Sequence, residues 1–501
     1  MQKLIFSRVR NIAMESEGLG DSGIETFLDN PFVSLSREIG QNSRDVKASS
    51  SVGPVKVCFD IISVNKKEIP GINDFAKAVE SCLVHAKDRK DKKGIEFFEN
   101  IIEKLKSKEI NLLKISDYNT KGLEGPCEEG TPFHSLVKSK GVSQKGDNEA
   151  SGGSHGIGKN AVFAISEGRT VFYSTCYINK LGAKEFLFQG KSLLTSHLDE
   201  AGQAMGATCY WGQDGFKPIS NVDFVPKWLR RDSIGTSIFA LFVREHEDWE
   251  NEIALSLVSN FTSAIYYGDI EFSINNGSVT ITSDSLGDYI RKLRCNIIST
   301  GELNEDMVRN SEEIYSCLTD IKANEGEIKI DGLGKFSIKV LLDEKMPKRV
   351  NFIRNGMLIT TNLKNFKDKL LNFNQYANFI AIVEPIEDSC SASMKKMENP
   401  RHDELSTARI ISSSERIKLY TAMNKLGEAI RKFIKSRAYM EPKNKEQLDE
   451  LAHFFGGDDS EMPVLDDSEG LENHPDTTKI IPAKRKSIYG DEVEGDGYLK
   501  N

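Results

Sequence analysis

Three polar residues, Glu38, Asn42 and Asp45, are spaced so that a single helix would place all of them on one face. A carboxylate in such a position can accept a proton from an attacking water molecule. An amide oxygen one turn away can bind Mg²⁺, which prefers hard oxygen ligands. The spacing therefore predicts a site for metal-assisted hydrolysis, whereas a solvated polar helix face would explain the same residues without any chemistry.

The element that positions these residues is predicted to be a helix over residues 32–47. Phe32, Leu35, Ile39 and Val46 recur at helical spacing along it and supply a side that can be buried. The pattern indicates an amphipathic helix packed against the rest of the protein.

Asp117 ends a short apolar strand predicted over residues 112–117. A carboxylate at a strand end can accept a hydrogen bond from the exocyclic amine of adenine, and it would reject guanine, which has an acceptor at that position. An aspartate that begins a turn with Asn119 is the alternative interpretation.

A glycine-rich loop runs from Gly152 to Lys159, and its backbone amides can approach a phosphate closely. A helix predicted from Lys159 adds the positive end of its dipole and a cation. The loop also matches parts of the P-loop and of the dinucleotide-binding motif. Both of those motifs need an apolar strand immediately before the loop, and residues 145–150 are polar, so both are excluded.

The order of these motifs resembles that of the GHKL ATPases, which include DNA gyrase subunits, mismatch-repair ATPases, heat-shock chaperones, MORC proteins and sensor histidine kinases. A fourth element, Gly235-Thr236 entering a strand, is similar to the Gly-Thr pair of that superfamily. The resemblance covers residues 38–236. It implies ATP and Mg²⁺ as ligands and a Bergerat fold, a two-layer α/β sandwich.

The resemblance also implies a role for each matched residue. Glu38 is expected to be the general base and Asn42 the Mg²⁺ ligand, with Glu38 beside it in the metal site. Asp45 is expected to support the pocket, and Asp117 and Thr236 to bind adenine.

The chain departs from the family pattern after Asp117, where DxGxG is usual. Asn119 stands at the first glycine position, where it can adopt left-handed torsions, and Gly122 follows one position late. Both are retained as nucleotide-binding candidates. The remaining candidates belong to the phosphate lid and are Gly153, His155, Gly156, Ile157, Gly158, Lys159 and Asn160.

Residues 246–440 resemble the transducer domain of gyrase-like and MORC-like proteins, which usually sends a lysine to the γ-phosphate. Lys345 and Lys348 are the candidates, and surface lysines in a hairpin turn are the alternative. Residues 398–404 resemble a Pro-x-His-Asp segment of bacterial GHKL proteins found near restriction-like endonucleases in phage-defence clusters. His402 and Asp403 are either a catalytic pair or the cap of a long helix predicted within 404–437.

The predicted fold class is α+β, with no internal repeat. The chain is predicted to divide into an N-terminal arm at 1–30, the ATP-binding domain at 31–245, the transducer-like α/β domain at 246–440 and an acidic, mostly disordered tail at 441–501.

Composition limits the classes of function. The net charge of −9 and pI near 5.6 do not describe a dedicated nucleic-acid binder. The apolar runs are too short to span a membrane. Eight scattered cysteines without a CxxC pair indicate inert thiols in a reducing cytoplasm rather than disulfides or structural zinc.

These observations predict a cytoplasmic ATPase that acts as an ATP-gated switch or clamp. ATP would close the lid and bring two protomers together as a homodimer, coupled to a protein partner such as a nuclease. DNA could be contacted through the dimer or the partner. The alternatives are a nucleotide-sensing scaffold with little turnover and a component that acts on DNA directly. A histidine kinase is not expected, because residues 1–37 contain no histidine to accept a phosphate and Glu38 indicates activation of water.

Overall fold

Two β-sheets and the helices packed on them form the part of the chain that the computed structural model describes. This arrangement confirms the predicted α+β class, whereas the predicted tail at 441–501 lies outside the described residues. The described residues are 3–139, 158–296, 302–399 and 401–440, without the side chains of residues 296 and 302–304.

No helix among these residues has both the length and the apolar character needed to cross a bilayer. The helices are α1 Ser22–Glu25, α2 Pro31–Asp45, α3 Ile72–Asp88, α4 Lys92–Lys106, α5 Pro132–Val137, α6 Ala161–Ile165, α7 Trp249–Tyr266, α8 Leu286–Asn296, α9 Glu302–Thr319, α10 Asp388–Met397 and α11 Ser413–Ala438. The strands are β1 Ile5–Arg10, β2 Val55–Asn65, β3 Glu109–Tyr118, β4 Ser166–Ile178, β5 Lys184–Leu193, β6 His197–Leu198, β7 Ala204–Gly212, β8 Gly235–Val243, β9 Ile270–Ile274, β10 Val279–Ile281, β11 Asn324–Ile330, β12 Gly334–Leu342, β13 Lys348–Arg354, β14 Met357–Thr360 and β15 Phe379–Pro385.

The first sheet has the strand order β1-β7-β5-β4-β8-β3-β2-β9-β10, with β6 paired to β7. Successive side chains of a strand point to opposite faces of its sheet. Val57 and Ile115 accordingly join one hydrophobic core, whereas Leu112 and Phe172 join another. Both faces of this sheet are therefore covered.

Helix α2 lies on the first of these faces and begins with Pro31, a residue suited to the first turn of a helix. Its apolar residues Phe32, Leu35 and Ile39 are buried, as their spacing predicts. Gly40 faces α7, where a Cβ atom would lie only 2.6 Å from the ring of Phe261. The polar face of α2 is consequently held at a fixed position between the sheet and α7.

Helices α3 and α4 contribute to the core on the opposite face, which is rich in aromatic side chains. The Phe6 ring lies 5.0 Å from that of Trp211 and 5.7 Å from that of Phe75, measured between centroids. Phe6 belongs to β1, within the predicted N-terminal arm. Burial of this ring explains why that segment forms an edge strand of the sheet.

The first sheet continues past residue 245, where the sequence predicts a domain boundary. Strand β9 pairs in parallel with β2, with Val57 opposite Phe272, and β10 follows as the outer strand. The chain thus completes the first sheet before it builds the second, while the predicted division at residue 245 stays a prediction.

The second sheet has the order β11-β12-β15-β13-β14. Its β13–β14 hairpin turns at Asn355 and Gly356, whose φ angles of 50° and 73° confirm the type I′ turn that an Asn-Gly pair predicts. The carbonyl oxygen of Gly356 accepts a hydrogen bond from the Ala264 amide of α7, at 3.2 Å. The hairpin therefore lies against the helix that also covers α2.

The last long helix begins later than the sequence predicts. Helix α11 starts at Ser413 and is capped by the side chain of Ser412, which accepts a hydrogen bond from the Glu415 amide. The prediction that His402 and Asp403 cap this helix is therefore wrong. His402 instead has a positive φ of 54° and lies in the loop between α10 and α11.

Candidate functional site

One cavity, with a volume of about 310 Å³, gathers most of those predicted site residues that the structure describes, from distant parts of the chain. Its walls include apolar side chains from α2, β3, β8 and α6. The predicted residues that line it are Glu38, Asn42, Asp45, Asp117, Gly122, Gly158, Lys159 and Thr236.

Glu38 is buried, with 6% of its surface exposed, although it carries a titratable carboxyl group. Burial raises its pKa, and the charges of His402 and Arg37 oppose that rise. Gly158 lies so close that a Cβ atom there would overlap Glu38 Oε2. The carboxylate is thus confined between α2 and the turn that leads into α6.

Asn42 lies one helical turn after Glu38 and, unlike it, is exposed at the edge of the cavity. Its amide oxygen and the Glu38 carboxylate are hard donors, which suit Mg²⁺ when substrate phosphates and water complete the coordination. No cluster of three or more His, Cys, Asp or Glu side chains among the described residues could hold a metal by itself. The donor set fits a metal that arrives with its substrate.

Asp117 is the last residue but one of β3 and lies beside the start of β8, and these neighbouring strands hold its carboxylate in place. Oδ1 accepts hydrogen bonds from the Thr236 amide at 2.8 Å and from Thr120 Oγ1 at 2.6 Å. Burial raises the pKa of Asp117, while the nearby Arg231 guanidinium opposes the rise. Both of these hydrogen bonds are accepted by Oδ1. Among the described residues neither occupies the second oxygen, Oδ2, which is therefore available to a ligand.

Glycine is required at two positions around Asp117. Gly235 has a φ of 128°, and a Cβ atom there would overlap the Asp117 backbone and carboxylate. Gly122 has a φ of 72°, and a Cβ atom would overlap the carbonyl oxygen of Cys176. Both glycines permit the close approach of β3, β4 and β8 at this end of the cavity.

The phosphate lid is described only from Gly158 onward, and Gly153, His155, Gly156 and Ile157 lie outside the described residues. Residues 158–160 form a single turn of 3₁₀ helix before α6. The Lys159 ammonium donates to the carbonyl oxygen of Ser135 in α5, at 3.2 Å. Lys159, the predicted lid lysine, lines the cavity, and its ammonium group is held by a carbonyl oxygen of α5.

Four predicted residues lie outside the cavity lining. Asn119 has the predicted left-handed φ, 63°, but its amide donates to the Pro54 carbonyl oxygen. The Asn160 side chain packs closely against Gly23 in α1. Lys345 and Lys348 are exposed, in the turn between β12 and β13 and at the start of β13 respectively.

The second segment instead brings a different lysine to the cavity. Lys395 of α10 donates to Asp45 Oδ2 at 2.8 Å, and Asn355 donates to Oδ1 at 3.1 Å. Although burial alone would raise the pKa of Asp45, Lys395 and Arg354 lower it below its ordinary value. Asp45 therefore serves as an ionised anchor for the second segment.

His402 also lines the cavity and belongs to the same group of contacts. Its Nδ1 lies 2.6 Å from Glu398 Oε2, and Arg354 binds both oxygens of Glu398. Arg354 Nη1 also lies 3.9 Å from Asp45 Oδ1. We call this group, which begins and ends on α2, the buried polar cluster: Gln41, Asp45, Arg354, Lys395, Glu398 and His402.

Apart from Asp45, sequence reasoning did not place these residues in the nucleotide site, although it had weighed His402 as half of a catalytic pair with Asp403. Asp403 does not line the cavity, and the partner of His402 is Glu398. Arg354 directly precedes the recognisable Asn-Gly turn, but its burial is visible only in the structure.

Comparisons with known proteins find similarity only at low sequence identity. No family model matches the chain, and no curated protein matches it. Two solved structures of the ATPase region of Saccharomyces cerevisiae topoisomerase II are similar to it, one of them bound to ICRF-187 (dexrazoxane). In each case the identity is 11%, the match covers 79% of this chain and 86% of that chain, and the TM-score is 0.36. The case for a function therefore rests on the residues of this chain.

Proposed function

We propose that this protein binds ATP in the cavity and hydrolyses it, with Glu38 as the general base. The observation that carries the proposal is the meeting of Glu38, Asn42, Asp117 and Lys159 in one cavity, since these residues come from three separate motifs. Each motif alone has a simpler explanation, but unrelated polar residues would have no reason to converge on one cavity.

The end of the cavity near Asp117 suits a purine base. Ile115, Ile238 and Tyr173 supply apolar surface there, and the carboxylate supplies one directed acceptor. An acceptor matches the exocyclic amine of adenine and opposes the oxygen of guanine. This combination of apolar walls and one placed polar group is common among small-molecule sites.

The end near Glu38 suits the phosphates. Lys159 follows Gly158 at this end, and Lys395 lines the same cavity beside Asp45. Each lysine is held by oxygen atoms that phosphate oxygens can replace. Asn42 and Glu38 would hold Mg²⁺ that enters with the nucleotide. That ion would neutralise charge on the phosphates when it is bound.

In the proposed reaction, Glu38 accepts a proton from a water molecule as the water oxygen forms a bond to the γ-phosphorus. The bond between that phosphorus and the β,γ-bridging oxygen breaks, and ADP keeps the electron pair. Gly158 leaves room for the Glu38 carboxylate at its observed position, which a Cβ atom at residue 158 would overlap. Release of phosphate and of the proton from Glu38 returns the site to its starting state.

Nucleotide binding is proposed to act on the rest of the protein through the buried polar cluster. Lys395 and Arg354 come from the second segment, and both interact with Asp45 at the end of α2. A phosphate that attracts Lys395 would therefore shift the second segment relative to α2. We propose that this motion gates a homodimer and a protein partner such as a nuclease, in DNA-directed anti-phage defence. The partner and the defence role are supported by the sequence resemblance alone.

A nucleotide-sensing scaffold with little turnover is the second candidate, and one observation favours it. Burial raises the pKa of Glu38, and a protonated carboxyl group cannot accept a proton from water. An enzyme would need the opposing charges of His402 and Arg37 to keep enough Glu38 ionised.

The test compares ATP turnover by the wild type and by Glu38→Gln, an isosteric variant that keeps the packing against Gly158. We expect turnover to fall about 10²- to 10⁴-fold, with ATP affinity nearly unchanged. Light scattering with a non-hydrolysable ATP analogue should show dimers in both proteins. Equal turnover in the two proteins would favour the scaffold, and unchanged mass would remove the gated dimer.

A further inference from the structure

Gln41 belongs to the buried polar cluster and has no role in the proposed reaction. Its side chain lines the cavity, yet only 4% of the residue is exposed. One end of its carboxamide lies beside His402, with 3.4 Å between Gln41 Nε2 and His402 Nδ1. The other end has no hydrogen-bond partner among the described residues. A buried polar atom left unpaired destabilises the fold, so a ligand for it is expected.

The partners of His402 determine which way this carboxamide points. Arg354 and His402 hold Glu398 as a carboxylate, and although burial opposes them they lower its pKa to about 2. His402 Nδ1 therefore carries a hydrogen, which it donates to Glu398 Oε2 at 2.6 Å. Nδ1 then cannot accept a hydrogen from Gln41.

The oxygen and nitrogen of a carboxamide are distinguished by their hydrogen-bonding partners. Because His402 Nδ1 carries a hydrogen, the NH₂ group of Gln41 would find no acceptor on that side, and the oxygen of Gln41 is the end that suits it. The NH₂ group of Gln41 is then the end without a partner, in a residue that lines the cavity. Gln41 follows Glu38 by three residues and precedes Asn42 by one, so its donor lies at the proposed phosphate end.

We propose that Gln41 donates a hydrogen bond from this NH₂ group to an oxygen of the terminal phosphate of the nucleotide. His402, Glu398 and Arg354 are positioning residues that fix the orientation of its carboxamide. This inference rests on the proposed function, since it assigns a further residue to the same nucleotide site. It also gives the second segment a direct influence on a phosphate contact, through His402.

The test measures the affinities of the full chain for ATP and for ADP by calorimetry, because only ATP carries the terminal phosphate. Gln41→Glu keeps the shape and the oxygen that faces His402, but it replaces the donor with an anionic oxygen. We expect Gln41→Glu to weaken ATP binding by about 10- to 100-fold and ADP binding by less than about twofold. Gln41→Ala should give a smaller loss with the same selectivity for ATP.

His402→Asn tests the positioning role, because asparagine tolerates the positive φ at this residue and is uncharged. We expect this variant also to lose ATP affinity while it keeps ADP affinity. The double variant Gln41→Ala/His402→Asn should lose no more than Gln41→Ala alone, since both changes remove one contact. Gln203→Glu is the control, because Gln203 is an exposed glutamine outside the cavity.

An equal loss of ATP and ADP affinity in Gln41→Glu, or no loss of either, would overturn the inference. Additive losses in the double variant would overturn the positioning role of His402. Failure of the proposed function is a different result: a wild type that binds neither nucleotide. A wild type that binds both, with an ATP to ADP ratio unaffected by Gln41→Glu, leaves the proposed function standing and removes only the role of Gln41.

Discussion

Lys395 donates a hydrogen bond to Asp45 at 2.8 Å, although the two residues are 350 positions apart in the sequence. Asp45 ends the helix that carries Glu38 and Asn42, and Lys395 belongs to α10 of the second segment. Both side chains are largely buried. This contact therefore links the candidate site to the part of the chain proposed to respond to nucleotide.

Replacing Lys395 by methionine should reduce both stability and turnover. The change leaves the buried Asp45 with Asn355 and the more distant Arg354, and loss of one partner of a buried ion pair costs about 3–5 kcal/mol. If Lys395 also serves a phosphate, ATP turnover should fall about a hundredfold. Urea unfolding and a phosphate-release assay measure the two effects. Lys345→Met, at an exposed lysine of the same segment, is the control, and matching behaviour of both variants would contradict this assignment.

Asp117→Asn should change which nucleotide binds. The variant keeps an oxygen for the Thr236 amide and replaces the available Oδ2 with an NH₂ group, which repels the exocyclic amine of adenine. ATP affinity should fall by about 1.5–3 kcal/mol, the range for a hydrogen bond to a charged group, while GTP affinity should not fall. Competition with a fluorescent nucleotide gives both constants. Parallel losses for ATP and GTP would show that Asp117 acts only through the fold.

Gly158→Ala should impair turnover more than binding. A Cβ atom at this position would overlap Glu38 Oε2, so the carboxylate must move from its place. A displacement of about 1 Å lowers the rate on the order of 10²-fold. Gly18→Ala is the matched control, because nothing lies within 4 Å of a Cβ atom there. Full turnover by Gly158→Ala would mean that Glu38 does not act from its observed position.

Glu398→Gln should be less stable than the wild type at neutral pH, and the difference should shrink in acid. Against the opposing effect of burial, His402 and Arg354 lower the pKa of Glu398 to about 2, from an ordinary 4.5. A lowered pKa contributes stability above the ordinary value, and that stability is lost as the pH falls toward 2. We expect a difference of about 3 kcal/mol at pH 7. Urea unfolding at pH 7 and pH 3 measures it, and a difference independent of pH would contradict the ionised Glu398.

Local patterns were sufficient to predict the elements around the site. The helical spacing of Phe32, Leu35 and Ile39 predicts α2, and the Asn355-Gly356 pair predicts the turn between β13 and β14. Both signals depend only on residues that are close in the sequence. The convergence of Glu38 and Asp117 on one cavity was expected only through the resemblance of motif order. Periodicity alone does not specify which elements pack together.

The buried polar cluster could not be predicted, for a physical reason. In the sequence Lys395 stands beside Lys396 on an amphipathic helix, and nothing local separates the buried lysine from the half-exposed one. His402 acquires its partners only where a loop of positive φ meets α2. Contacts across hundreds of residues depend on the assembled fold, and a single sequence does not encode them in any short window.

The parallel pairing of β2 with β9 has a consequence for how the protein is made. Because β9 ends at Ile274 and β10 at Ile281, the sheet behind the cavity stays incomplete until that stretch has left the ribosome. Until then the edge of β2 is open, and an open edge can pair with another chain. A nascent chain released at residue 245 would carry the motifs from Glu38 to Thr236 and still be prone to aggregation. Synthesis of β9 and β10 is thus the step that covers the edge of β2 and prevents it from pairing with another chain.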